Sequence, residues 1–352
     1  MNIWVEALTG KQALLFSFIA KFFMDRGDNV IITCREYDYT ARIFFQRGLK
    51  PYVLGRYGGG TLLGKIRASL DRQLRILDII TEKNIDVHIS FTSPDSCRVA
   101  YGLNIPIINL TDSPHSYIVN KLTIPLSRFL IIPHCIPKKE FSHLIPLRNI
   151  YTFNGIFEVT WTKNFSPDSR ILDELNLDKY RYIVMRTEEK KASYYKHMDS
   201  RPTLISIFID KLISRERELK IVIFPRYTDQ KKYLIKKYGE KIIIPEKSVD
   251  TQSLAHYSLL VITGGSTFAQ EAALQGIPSI SYFPYHFHIE EYIAKRGFPL
   301  FHYIDIINAL KKMLDIISDP FKYHINTTRL LERMESPLEL LEKIINQIFI
   351  ED

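Results

Sequence analysis

The chain has 352 residues, 46% of them hydrophobic and 24% charged, with a formal net charge of +8. That length exceeds one ordinary hydrophobic core, so two domains are expected, and the balance is that of a globular protein. No apolar run approaches the ~20 residues of a membrane span, and three scattered cysteines without a C-x-x-C spacing argue against disulfides and structural zinc.

The opening Met1-Asn2-Ile3-Trp4-Val5-Glu6 is too short and too polar to read as a signal peptide, so a cytoplasmic protein is expected. Its positive charge favours anionic partners, whether nucleotides, acidic lipid headgroups or nucleic acid. No zinc finger, RNP-type motif or concentrated basic arm is present, so nucleic acid is not expected as a partner.

In chain order, residues 2–7 read as a buried strand, followed by the loop Leu8-Thr9-Gly10-Lys11-Gln12 and an apolar helix over 13–26. Gly27-Asp28 stops that helix ahead of a strand at 29–33, which is the opening unit of a doubly wound sheet. Further short strands are predicted at 52–54, 87–91, 105–110 and 129–132. On such sheets ligands bind beyond the carboxyl ends of the strands. Asp112 and His115 fall in one of these loops, and Glu6 ends the first strand. A carboxylate or imidazole there could take a proton as general base, or could equally cap a helix. Lys11, in the first glycine loop, could steady negative charge.

Between these loops, Arg56-Tyr57-Gly58-Gly59-Gly60-Thr61 leads into an amphipathic helix carrying Lys65, Arg67, Arg72 and Arg75. Such a face can lie on anionic lipid, or can pack on a core with its arginines solvated.

The pattern weakens between 149 and 167, with a turn at Asn154-Gly155, and Trp161-Thr162-Lys163-Asn164-Phe165-Ser166-Pro167 reads as a linker. The predicted domains are therefore 1–160 and 161–352, with the last helix, 337–350, packing back on the first. The second half predicts strands at 182–186, 220–224, 241–244, 259–262 and 278–282. Leu259-Leu260-Val261-Ile262 runs into Gly264-Gly265-Ser266-Thr267 and then a helix closed by Gly276-Ile277-Pro278. A helix N-terminus of this kind attracts phosphate through unpaired amides and the helix dipole, although the same residues also build a plain tight turn. Arg186 and Arg226 each follow a second-half strand at its carboxyl end, where a guanidinium can hold phosphate oxygens. The run His286-Phe287-His288-Ile289-Glu290-Glu291 lacks an identifiable third ligand, so no metal site is predicted there.

Two α/β halves with Gly-Gly-Ser-Thr and Glu271 in the second resemble the GT-B architecture, shared by nucleotide-sugar glycosyltransferases and UDP-N-acetylglucosamine 2-epimerases. The whole chain looks like domain-of-unknown-function family 354, of predicted glycosyltransferase-like proteins common in archaea. The residues that carry this are Ile3-Trp4-Val5-Glu6, Ser90-Phe91-Thr92-Ser93-Pro94-Asp95-Ser96, Asn109-Leu110-Thr111-Asp112-Ser113-Pro114-His115, Val184-Met185-Arg186, Phe224-Pro225-Arg226-Tyr227 and the 264–271 stretch. The loops Thr9-Gly10-Lys11-Gln12 and Thr187-Glu188-Glu189-Lys190-Lys191 depart from the family pattern.

The resemblance implies two Rossmann-like domains facing a central cleft. It places a donor diphosphate on Gly264, Gly265, Ser266 and Thr267, with Arg186, Arg226, Gly10 and Lys11 as further binding residues and Glu271 on the ribose hydroxyls. Asp112, His115 and Glu6 are then the candidate bases. The implied activity is metal-independent and cofactor-free transfer of a sugar, with a UDP-linked donor favoured, to an unknown acceptor. A lipid-linked acceptor, with peripheral contact at the inner face of an anionic membrane, is among the options. A nucleotide-sugar 2-epimerase, drawing on Glu6, Asp95 and Asp112, and a non-catalytic nucleotide-sugar-binding protein stand as alternatives.

Overall fold

The computed structural model describes residues 1–37, 39–190, 202–216, 218–247 and 249–350. They form two compact units, Met1–Trp161 with Met334–Asp352, and Thr162–Arg333.

The first unit holds strands β1 (Asn2–Ala7), β2 (Asn29–Glu36), β3 (Tyr52–Arg56), β4 (Val87–Ser90), β5 (Ile107–Leu110), β6 (Phe129–Pro133) and β7 (Ile150–Phe153). All are parallel, in the order β3-β2-β1-β4-β5-β6-β7. The central strand β1 is buried almost throughout, because helices cover both faces of the sheet. On one face Phe16, Ile19 and Phe23 of the helix Gly10–Met24 pack with Phe153, Phe157 and the last helix, Leu338–Ile350, through Leu341, Ile344, Ile345 and Ile348. On the other face Trp4 and Ile31 pack beneath Ile76 and Ile80 of the helix Leu62–Ile80 and Val99 and Ala100 of the helix Pro94–Gly102.

The second unit holds β8 (Tyr182–Arg186), β9 (Lys220–Phe224), β10 (Leu260–Thr263), β11 (Ser279–Ser281) and β12 (Leu300–His302), parallel in the order β12-β11-β10-β8-β9. Its apolar cores likewise flank both faces, one built on Phe208, Leu212 and Met313, the other on Leu254, Phe268 and Ala272. No helix among the described residues is long and apolar enough to cross a membrane.

Three expectations are corrected. Residues 9–12 are not a loop, because Thr9 caps the first helix and Gly10, Lys11 and Gln12 form its opening turn. Residues 241–244 are not a strand; a 3₁₀ turn, Gly239–Lys241, leaves only Ile243 bridged to Val222. The weak stretch after 149 holds edge strand β7, and β12 lay unread because three residues carry no periodicity.

In each sheet the chain reverses its direction of winding once, between β1 and β4 in the first unit and between β8 and β10 in the second. These are the switch points where such sheets open a crevice at their carboxyl ends. The residues that follow these strands hold most of the predicted site.

Candidate functional site

At the switch point of the second unit, Arg186 is in register with Thr263 on one side and Phe224 on the other. Gly264 and Gly265 follow Thr263. Neither has positive φ, so their requirement is close approach rather than a left-handed turn. A Cβ on Gly264 would lie 2.4 Å from the Glu188 Cβ and 2.8 Å from the Tyr282 ring. Glu188 is fixed there by Thr203 (2.9 Å), the Leu204 amide (2.7 Å) and the Tyr282 hydroxyl (2.9 Å). This gives Glu188 a positioning task beneath the turn. Lys191, from the same predicted loop, lies outside the described residues.

The amides of the two glycines are already engaged, Gly264 donating to the Arg186 carbonyl at 3.2 Å and Gly265 to the Thr263 hydroxyl at 3.0 Å. An incoming anion would therefore meet the amides of Ser266 and Thr267, at the start of the helix Thr267–Leu274. Ser266 occupies the N-cap position without a side-chain cap bond.

Arg226 completes this edge. Its Nε donates to the Thr187 carbonyl at 3.2 Å, Nη1 lies 3.8 Å from Glu189, and Nη2 stands 3.0 Å from the place a Gly265 Cβ would take. A shallow depression of about 480 Å³ opens beside it, lined by Arg226, Tyr227, Thr228, Asp229 and Lys232. The guanidinium thus lies over the Gly265 turn. Glu271 sits on the turn's helix one turn further in and is buried, as is Gln270, whose side-chain amide makes no hydrogen bond to any described residue.

At the switch-point edge of the first unit, helix capping sets the geometry. Gln12 accepts from the Leu8 amide (2.6 Å) and donates to the Phe91 carbonyl (3.2 Å), which ties the first helical turn to the end of β4. Lys11 is thereby aimed across the sheet edge, where its ammonium binds both Asp112 and, at 2.6 Å, Glu158. Asp112 also accepts from Ser113 at 2.8 Å. Burial pushes both carboxyls up. At Asp112 the close Lys11 charge and the hydrogen bonds from Lys11 and Ser113 prevail and hold it below the usual carboxylate range. At Glu158 burial prevails and the pKa is raised. His115, exposed nearby, is held below 6.5 by loss of water around part of its ring, against the pull of Asp112. Sequence reasoning missed Glu158, because it sits in a short apolar stretch, Phe157-Glu158-Val159, without strand or helix period.

Glu6 has a different setting. It is fully enclosed, accepts from Thr33 and is bound by Arg72, which also holds Asp95 at 3.0 Å and the Leu54 carbonyl at 2.9 Å. Ser69 donates to Asp95 at 2.5 Å. Burial raises the Glu6 pKa despite Arg72. A carboxylate so committed binds β1 to the helix Leu62–Ile80, a structural task beside the base role read from its position. Arg72 likewise turns inward, correcting its placement on an outward basic face.

Among the described residues no three His, Cys, Asp or Glu side chains gather as a metal site. His286 pairs with Glu291 at 3.2 Å instead. Glu290 is buried with His302 Nδ1 3.5 Å away, and its carboxylate oxygens take no hydrogen bond of good geometry. Burial, opposed weakly by Ser281, pushes its pKa up to about 8. A group with a raised folded pKa adds stability below its unfolded value, near 4.5, and that contribution is lost as pH rises through about 8. Glu290→Gln is therefore expected to stabilise the second unit by a few kcal/mol above that pH and to flatten the alkaline fall in urea midpoint. An unchanged alkaline profile would refute the assignment.

The family model described as "Protein of unknown function (DUF354)" matches residues 1–347. "Uncharacterized protein MJ0665" of Methanocaldococcus jannaschii is 27% identical over 99% of both chains. Among solved structures, the UDP-GlcNAc 2-epimerase of the same organism, in complex with UDP-GlcNAc and UDP, is similar with a TM-score of 0.71 at 17% identity, over 97% of this chain and 100% of that one. The glycotransferase of kitacinnamycin is similar with a TM-score of 0.60 at 12% identity over 99% of both. These likenesses show the fold: two Rossmann-like α/β units of the GT-B class.

Proposed function

We propose, for a chain that belongs to the DUF354 family of unknown function, that it is a nucleotide-sugar enzyme transferring the sugar of a UDP-linked donor to an acceptor. The observation that carries this reading is the edge of the second sheet, where Arg226 lies over the Gly265 turn beside the open amides of Ser266 and Thr267. A diphosphate placed there would receive amide hydrogen bonds, the positive end of a helix and a guanidinium. Those donors also stabilise it as a leaving group, and the reading needs no metal or cofactor. Arg186 and Glu271 stand on the same edge as the remaining donor contacts. A structural neighbour solved in complex with UDP-GlcNAc and UDP supports the ligand class.

A second reading is favoured by the first unit. Asp112 and Glu158 share the Lys11 ammonium, and two carboxylates on one cation are the kind of titrating pair that acid–base chemistry at a sugar calls for. Incubation with UDP-N-acetylglucosamine alone separates the two, since epimerisation proceeds without an acceptor.

The binding step is tested by thermal shift, because a ligand of the native state raises its stability. UDP-sugars are expected to raise the melting temperature, and Arg226→Ala to weaken binding roughly 10- to 100-fold through loss of a charged hydrogen bond. Glu271→Ala should weaken it less. If both variants keep the full shift, the diphosphate is not bound at this edge.

A further inference from the structure

The helix Leu62–Ile80 has two apolar faces, and only one is used inside the fold. Ile76 and Ile80 point into the core with Arg72. On its outward side Leu62, Ile66, Leu70 and Leu74 follow one another at four-residue spacing, each between 58 and 83% exposed. Four residues is one helical turn, so they form a continuous stripe. The helix Pro94–Gly102 packs beside this one, and Tyr117–Thr123 beside that; the latter exposes Ile118 and Leu122. A globular protein rarely leaves so many large aliphatic side chains in water without a partner for them.

The cations of this layer identify the partner. Lys65, Arg67, Arg98 and Lys121 are exposed and form no ion pair with any described residue. Elsewhere on the same surface Arg56 is paired with Glu36 and Arg75 with Asp71. Unpaired lysines and arginines among exposed leucine and isoleucine differ from a protein interface, whose centre is poor in lysine and rich in aromatic residues. They match a surface that lies in the headgroup region of an anionic bilayer, aliphatic groups among the acyl chains and cations among the phosphates. The aromatic groups fit the same plane. Tyr57 is exposed in the glycine loop just before the stripe, and Tyr117 stacks under Lys121 at 4.3 Å, the amphipathic rings that settle at a membrane–water boundary.

We propose that the outer layer formed by the helices Leu62–Ile80, Pro94–Gly102 and Tyr117–Thr123 docks on an anionic membrane surface. The inference stands apart from the nucleotide-sugar reading, since vesicle binding is measured without substrate. On that reading it brings the carboxyl edge of β3 and its glycine loop to the lipid.

The full chain is floated with vesicles of phosphatidylcholine containing about a third phosphatidylglycerol, and with vesicles of phosphatidylcholine alone. It is expected to float with the first, to stay down with the second, and to release from the first as salt is raised. Lys65→Glu with Arg67→Glu should lower partitioning roughly tenfold or more. Leu70→Ser with Leu74→Ser should abolish it. Both pairs are outward-facing, so an unchanged thermal transition will show that the fold is kept. Absence of flotation with anionic vesicles overturns the proposal, as does flotation that neither variant alters. A self-association in solution that Leu70→Ser with Leu74→Ser abolishes, with no vesicle binding, assigns the face to a second copy instead and equally overturns it.

Discussion

Asp112→Asn is expected to lower turnover of a UDP-sugar roughly 10²- to 10⁴-fold, measured as UDP release, while the thermal shift caused by UDP stays unchanged. Asp112 follows β5, and its neighbours set its protonation. The Lys11 ammonium and the Ser113 hydroxyl hold the carboxyl ionised well into the acid range, against the burial that opposes ionisation. An ionised carboxylate beside a cation can receive a proton from an acceptor hydroxyl, and Lys11 can then steady the charge that develops. Asparagine keeps the shape and one acceptor oxygen but cannot take the proton. Since Asp112 belongs to the first unit and the diphosphate edge to the second, binding and turnover should separate. A parallel loss of both would place Asp112 in ligand binding and remove it as base.

The pH profile then distinguishes Asp112 from His115. With Asp112 as base, activity persists to acid pH and falls only below the ordinary carboxylate range, because its pKa is depressed. With His115 as base, the acid limb lies nearer the imidazole range, though below 6.5. His115→Gln should leave the limb in place in the first case and remove it in the second.

Much of the fold was legible because parallel strands covered on both faces write themselves as short apolar runs. β1, β8 and β9 span the residues expected of them, 2–7, 182–186 and 220–224, each around an apolar run. What failed to show was short or marginal. β7 and β12 contribute four and three residues at or near sheet edges, too few to display a period. The first helix starts earlier than its apolar pattern, since Thr9 supplies a cap and Gly10, Lys11 and Gln12 are polar or small.

The site was legible as positions rather than as partnerships. Glycines and arginines after strands mark a ligand edge, but which amides remain open depends on Arg186 and Thr263 accepting from Gly264 and Gly265. A charge says nothing about whom it meets. Lys11 was visible and its partner Glu158, 147 positions away by the numbering, was not. Arg72 was read outward from a helix whose two faces are both apolar, so the pattern could not choose which of them faced the core.

Arg72 carries the largest expected stability effect. Its side chain is 1% exposed and neutralises two carboxylates, one of them Glu6 with no exposure at all. Arg72→Met keeps the stem's packing and removes the charge. Glu6 is then left enclosed with only the Thr33 hydroxyl, and losing one partner of a buried pair typically costs about 3–5 kcal/mol. The cost is expected to depend on pH in a fixed direction. Burial already raises the Glu6 pKa with Arg72 in place, and without that cation the pKa rises further. A raised folded pKa contributes stability below the unfolded value that is lost as pH rises, so the variant should be closest to the parent in acid and furthest from it in alkali. Adding Glu6→Gln removes the orphaned charge, and the double variant should regain a large part of the loss. Urea unfolding of the four proteins in this cycle, followed across pH, measures it. A single variant with the parent's stability, or a double variant no better than Arg72→Met, would show that Glu6 is not held by Arg72.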